Sequence, residues 1–294
     1  MSSQDHDKQP REAATHDSSR REFVAATAAL GLTATGIGRG GEMKVVEENV
    51  EVKTADGTCD AAFIHPATGS HPAVLFWTDA FGLRPSMREM GKRLAADGYC
   101  VLVPNPYYRN SKSPQFPDAS KVDFATDRAK FMPLMASLQQ SGVAESDAKA
   151  YFAWLDSQKS VDHKKKAGTQ GYCMGGALAL RSAAAVPNRV GAAASFHGGG
   201  LVTDKPDSPH LLAPKIKAKL YIAIAANDDQ KQPEAKDELR KAFGSAADIE
   251  VFEHDQHGWC VPDMPAAEGK PIYNKADADR AWSKLLALYK SALV

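Results

Sequence analysis

Cys173 stands between Gly171 and Gly175 in "GTQGYCMGGALAL", residues 168 to 180. A small, apolar run leads into it and an alanine-rich helical run follows. Gly-x-nucleophile-x-Gly is the pattern of a sharp strand-to-helix turn that presents a nucleophile at the end of a sheet. The glycines are needed because the nucleophile's backbone is strained and the next helix packs close. Such turns usually hold serine. Here the residue is cysteine, and no Gly-x-Ser-x-Gly occurs in the chain to compete with it. The end of a helix that faces such a turn favours thiolate, the reactive form of a thiol. The alternative for Cys173 is a buried structural cysteine, a common role for the residue.

A nucleophile of this kind works with an acid and a histidine that follow it in that order. The next strand but one after the turn ends in Asn227-Asp228-Asp229, and the strand after that ends in "HDQHG", residues 254 to 258. His257 is the better base, because it lies in the loop before Gly258, whereas His254 belongs to the alternating strand. Asp228 is preferred over Asp229 as the first loop position after "LYIAIAAN". The acid's neighbour remains the alternative. "FHGGG", residues 196 to 200, looks like an oxyanion loop, but that loop precedes the nucleophile and this stretch follows it. The segment in the right place is Thr78-Asp79-Ala80-Phe81-Gly82, at the end of "AVLFW". The backbone N–H groups of Ala80 and Met174 are then the expected oxyanion donors.

These residues need elements that bring them to one edge. "KVVEENVEVKT" and "TCDAAFIHP" alternate around Ala55-Asp56-Gly57 and predict a hairpin. "PAVLFWT", "YCVLVPNPYYR", "KAGTQGY", "VGAAASFHGGG", "AKLYIAIAANDD" and "IEVFEHDQHG" predict further strands. Helices are expected from Pro85 to Gly98 and over "SDAKAYFAWLDSQ", "GALALRSAAAV", "PEAKDELRKAF" and "DADRAWSKLLALYK". Residues 110 to 145 are polar and Pro-interrupted, the pattern of a covering excursion. Strand and helix alternate, which predicts one α/β domain with a mostly parallel sheet covered on both faces. The chemistry of such sheets sits at the carboxyl ends of the strands.

Composition narrows the function. Lys plus Arg and Asp plus Glu both number 36 in 294 residues, so there is no basic surplus for a nucleic-acid partner. Four cysteines without a C-x-x-C pair, and scattered histidines, give no disulfide scaffold and no metal site.

With the motifs in place, the chain resembles the dienelactone hydrolase (carboxymethylenebutenolidase) family over residues 44 to 294. The likeness is carried by "GYCMGG", "NDD....PE" and "HGW", and also by "DAFGL" and "PNPYYR". It implies a monomeric α/β-hydrolase fold, a Cys173–His257–Asp228 triad and no cofactor. It also implies opening of ester or lactone bonds through a thioester acyl-enzyme. In the family a glutamate near the oxyanion segment accepts the cysteine's proton, and Asp79 stands at that place, one methylene shorter. Of two family arginines that hold a substrate carboxylate, one matches Arg109. The other position, in "HGWCVPD", holds no arginine, so dienelactone itself is not the expected substrate. Trp259 of "HGW" joins Asp79 and Arg109 as a supporting or substrate-binding residue. The expected partner is a small-molecule ester or lactone. The readings set against a hydrolase are a silent binding protein on the same fold, and a redox or acyl-transfer thiol with Cys260 as resolving partner.

The N-terminus is unlike the rest. Residues 1 to 17 are polar and charged, and Ser19-Arg20-Arg21-Glu22-Phe23-Val24 leads into the short, mildly apolar "AATAALGLTATGIG". This is the pattern of a twin-arginine export signal, too short and too weakly apolar to span a bilayer. The expectation is a signal within residues 1–40 and one domain over 41–294, periplasmic or secreted, with no stable membrane insertion once the signal is removed. The alternative is a cytoplasmic protein with a polar tail. Changing Arg20 and Arg21 together to Lys is expected to strand the precursor in the cytoplasm. Cell fractionation checks this, and an unchanged extracytoplasmic fraction rules it out.

Overall fold

A computed structural model describes residues 43–123, 126–138 and 140–293. The twin-arginine expectation falls outside them. The chain opens with a hairpin of β1 (Val45–Thr54) and β2 (Gly57–Pro66), paired antiparallel from Thr54 opposite Gly57 to Val45 opposite Pro66. Then come β3 (Ala73–Trp77), α1 (Pro85–Ala96) and β4 (Cys100–Pro104). The polar excursion carries α2 (Arg128–Leu138) and is followed by α3 (Val143–Asp156). After β5 (Ala167–Tyr172) come α4 (Met174–Ala185), β6 (Val190–Phe196), β7 (Lys219–Ala225), α5 (Ala226–Lys231), α6 (Ala235–Phe243), β8 (Ala247–Phe252) and α7 (Lys275–Ala292). The strands form one sheet in the order β1-β2-β4-β3-β5-β6-β7-β8. It is antiparallel at β1-β2 and β2-β4 and parallel from β4 to β8. Among the described residues no helix is long and apolar enough to cross a membrane.

The central strands are apolar throughout because both faces are covered. Side chains alternate between the faces. Leu75, Trp77 and Leu102 pack with residues of α3 and α4 on one face, while Val74, Phe76, Val101 and Val103 pack with α1 and α7 on the other. Pro85 opens α1 at a position where no intrahelical N–H is needed. Asn274 caps α7 by accepting the Asp277 amide, and the helix buries Ala278, Ala281, Trp282, Leu285 and Tyr289. Two details differ from expectation. β8 stops at Phe252, so His254 lies in an exposed turn rather than in the strand. The helix α5 begins directly after β7, so Asp228 belongs to its first turn rather than to a loop.

Close approach of α7 to β5 depends on Gly168. A Cβ there would stand 2.8 and 2.9 Å from the ring carbons of Tyr289. That ring cannot swing away freely, because its hydroxyl donates to buried Gln170 Oε1 at 3.0 Å. Gly168→Ala is therefore expected to lose about 1–3 kcal/mol of stability by overpacking, read as a lower urea midpoint.

Candidate active site

Three backbones converge where β5 ends. A Cβ on Gly171 would lie 1.9 Å from the Gly175 carbonyl oxygen, and one on Gly175 would lie 2.4 Å from that of Thr78. A Cβ on Gly176 would meet Ser195 Oγ at 2.3 Å and Gly198 Cα at 2.8 Å. Glycine alone allows α4 to pack this tightly over the ends of β3 and β6. The turn holds Cys173 at φ 54° and ψ −119°, a conformation that a residue with a side chain rarely adopts. Strain of this kind persists where the surroundings over-determine it, as at functional sites.

His257 and Asp228 arrive from neighbouring strands at the same edge. His257 Nδ1 is 2.6 Å from Asp228 Oδ2, and the His257 amide donates to Asn227 Oδ1 at 2.8 Å. Asp229 turns away to Lys236 Nζ, 2.8 Å from each carboxylate oxygen. With Nδ1 turned to Asp228, Nε2 is left for the Cys173 sulfur, which acts on the ring at close range. Burial disfavours a charged His257 ring, but Cys173 and Asp228 together outweigh it and push its pKa up to about 10.

The peptide planes at the expected oxyanion donors are both fixed. The Cys173 carbonyl accepts from the amides of Gly176 and Gly199, each at 3.1 Å. The Asp79 carbonyl accepts from the Gly82 amide and from Thr78 Oγ1, again at 3.1 Å. In a trans peptide the next N–H points opposite the carbonyl. These bonds therefore aim the Met174 and Ala80 N–H groups, and among the described residues neither finds an acceptor. Buried Tyr107 ties the two residues together, donating to the Ala80 carbonyl at 2.7 Å and reaching Met174 Sδ at 3.5 Å.

Two expectations are corrected. Asp79 does not stand ready for the Cys173 proton. Its Oδ1 accepts from the Phe81 amide at 2.9 Å and from Arg84 at 2.7 Å, and its Oδ2 accepts from Arg84 at 2.9 Å. Arg84 is itself buried and also holds Asp263 through two bonds of 2.7 and 2.8 Å. Arg109 does not offer its guanidinium to a substrate. It makes two-pronged bonds to Asp147 and to Asp56, at 2.7–2.9 Å, and does not line the cavity at Cys173. Asp56 and Asp147 are its partners because the β1–β2 turn and α3 flank it.

Trp259 is fully buried, stacked on Phe252 at 4.6 Å between centroids. It backs His197, a residue that the sequence analysis left out of the site. Buried His197, at φ 39°, accepts the Cys173 amide on Nδ1 at 3.1 Å. Its ring lies 4.7 Å from that of His257 and 5.4 Å from that of Trp259. Burial and the neighbouring His257 both push its pKa well below the ordinary value, so it is neutral, with its proton on Nε2. The signal was present in the sequence. "FHGGG" ends β6, and β6 is the parallel neighbour of the strand that carries Cys173.

Fold and edge geometry are those of an α/β hydrolase. The sequence model of the dienelactone hydrolase family matches residues 59–293. The chain belongs to that family. It is 25% identical over 256 residues to a carboxymethylenebutenolidase of Rhodococcus opacus, covering 83% of this chain and 92% of that one. Its fold is shared with the dienelactone hydrolase of Anabaena variabilis, at TM-score 0.59 and 16% identity, covering 85% of this chain and 99% of that one. It is also shared with a dienelactone hydrolase-like promiscuous phosphotriesterase from metagenomic libraries, at TM-score 0.68 and 21% identity, with coverage of 85% and 99%.

The sign of the His257 shift sets a titration. A raised folded-state pKa stabilises the fold in full below the ordinary 6.5, and the contribution is lost as pH rises through about 10. NMR titration of His257 is expected to show a midpoint near 10. Cys173→Ala removes the strongest of the raising influences and is expected to move the midpoint down toward 6.5. A midpoint near 6.5 in the unaltered protein would break the His257–Cys173 coupling.

Proposed function

We propose that the chain is a thiol hydrolase of small activated esters or lactones, working through a Cys173 acyl-enzyme. The observation that carries this reading is the line from the Asp228 carboxylate through His257 to the Cys173 turn. Cys173 Sγ attacks the scissile carbonyl, whose oxygen becomes negative and is bound by the Ala80 and Met174 N–H groups. As the carbonyl re-forms, the C–O bond to the alcohol breaks. His257 Nε2–H protonates the departing oxygen and leaves a thioester on Cys173. Water then gives a proton to His257 and adds to the thioester, which releases the carboxylic acid and regenerates the pair. Asp228 orients the ring and stabilises its charged form, the role of the acid in such triads. His197 holds the Cys173 amide and makes a T-shaped contact with the base.

Asp79, tied to Arg84, is assigned here to support of the oxyanion segment, and Trp259 to support of His197. The proposal includes a monomer, exported through the twin-arginine route. Nothing favours a silent binding protein, and the Asp228–His257 pair beside the Cys173 turn speaks against one. The redox reading has nothing to support it either. The four cysteines are free, and Cys260 is buried against Tyr172 and Phe196.

The test is hydrolysis of p-nitrophenyl acetate. Iodoacetamide is expected to label Cys173 before Cys59, whose thiol is pushed up to about 12 chiefly by burial, and to remove activity in step. Cys173→Ala is expected to fold normally and lose at least ~10³-fold in turnover. If it keeps more than about a tenth, only ~1.4 kcal/mol of barrier, the nucleophile assignment is wrong. Asp228→Asn is expected to lose activity and Asp229→Asn to retain it.

A further inference from the structure

A cavity of about 320 Å³ opens at Cys173 and runs along α4. Its floor is Met174, Ala177, Leu178 and Arg181, a 1, 4, 5, 8 spacing that lies on one helix face. Met135 and Leu138 of α2 form one wall. The segment after β6, from Gly199 to Pro209, supplies another. Near Cys173 the side chains are apolar. The charged lining residues are Arg181, eight residues beyond Cys173 and about 12 Å along the axis, and Lys205 and Asp207 of the segment after β6. That arginine is buried and already paired, with Glu145 at 2.6 and 2.9 Å and with Asp207 at 3.2 Å. A paired guanidinium ends the cavity without calling for an anion.

We infer that this cavity takes the acyl chain of the substrate, and that the chain is a straight aliphatic one of about eight carbons, the length that fits along α4 from Cys173 to Arg181. The inference rests on the acyl-enzyme reading above and narrows its substrate class. Position decides between acyl and alcohol. The leaving oxygen must reach His257 to be protonated, and His257 does not line the cavity. The group that remains on sulfur therefore lies on the cavity side, and the alcohol departs on the His257 side. The lining suits a chain rather than a carboxylated ring, because the α4 residues next to Cys173 are apolar, Arg181 is occupied and Lys205 is exposed.

The test uses the full chain with p-nitrophenyl acetate, butanoate, hexanoate, octanoate and dodecanoate. kcat/KM is expected to rise about four-fold per methylene up to octanoate, the fold-change that corresponds to burying one CH2. It should level or fall at dodecanoate. Octyl acetate is expected to gain nothing over ethyl acetate, whereas ethyl octanoate gains. Ala177→Phe narrows the floor and should cut the octanoate-to-acetate ratio at least ten-fold. Met135→Glu, on the surface-facing wall, gives a second variant should Ala177→Phe not fold. Calorimetry provides an arm that needs no turnover, with octanamide expected to bind at least ~30-fold tighter than butanamide. A flat ester series with intact acetate hydrolysis overturns the chain pocket and leaves the hydrolase standing. A gain for octyl acetate instead of ethyl octanoate overturns the acyl assignment. If no ester is turned over, the hydrolase reading fails, and equal binding of the two amides then overturns the pocket as well.

Discussion

The structure depends on backbone lying against backbone at the end of β5. A methyl group on Gly171 or Gly175 would sit 1.9 or 2.4 Å from a carbonyl oxygen of a neighbouring segment. Because no side chain intrudes, α4 starts directly over the ends of β3 and β6. The start of the helix then supplies the Met174 amide, the end of β3 supplies the Ala80 amide, and the end of β6 supplies His197. Cys173 is held in its unusual conformation by the same contacts, with its carbonyl gripped by the Gly176 and Gly199 amides. The local strain is offset by the packing of α4 against one hydrophobic face of the sheet, where Leu178, Ala179, Leu180 and Ala183 are buried.

Charge is placed around this turn by burial and pairing. Arg84 loses its water on burial, and Asp79 and Asp263 restore the balance with four short bonds. Removal of one partner from such a group leaves an uncompensated buried charge and costs several kcal/mol. The cluster therefore acts as a rigid strut between the oxyanion segment and the loop that carries His257. Beside His257, His197 is kept neutral by burial and by His257 itself. Only one of two adjacent imidazoles can be charged, and the one with a carboxylate partner is His257.

Much of this was legible in the sequence. Strand runs such as "AVLFW" and "KLYIAIA" predict buried parallel strands because their apolar residues serve two faces. The nucleophile turn and the order of acid and base are local patterns that survive without knowledge of the fold. The contact of His257 with Asp228 agrees with the order read from the sequence, although Asp228 sits in the first turn of α5 and not in a loop. What the sequence withholds is the choice made by long-range partners. Asp79 could face the cysteine or an arginine, and only the fold brings Asp263 beside Arg84, 179 positions away. Arg109 takes Asp56 and Asp147 because a hairpin turn and a helix close over it. His197 was passed over because its glycine loop was weighed as a misplaced oxyanion motif, not as the end of the strand next to β5.

The order of synthesis gives the late placement of His257 a meaning of its own. Cys173 leaves the ribosome well before the segment from 254 to 263, which brings both the base and the carboxylate that braces Arg84. On the proposed mechanism, a nascent chain that ends before 254 carries the Cys173 thiol without its base. The last helix then covers the second face of the sheet, with Tyr289 reaching Gln170 beside the turn. On the proposed mechanism, a chain cut short before 254 would hold all eight strands and the Cys173 turn but lack the histidine and the carboxylate that complete the site.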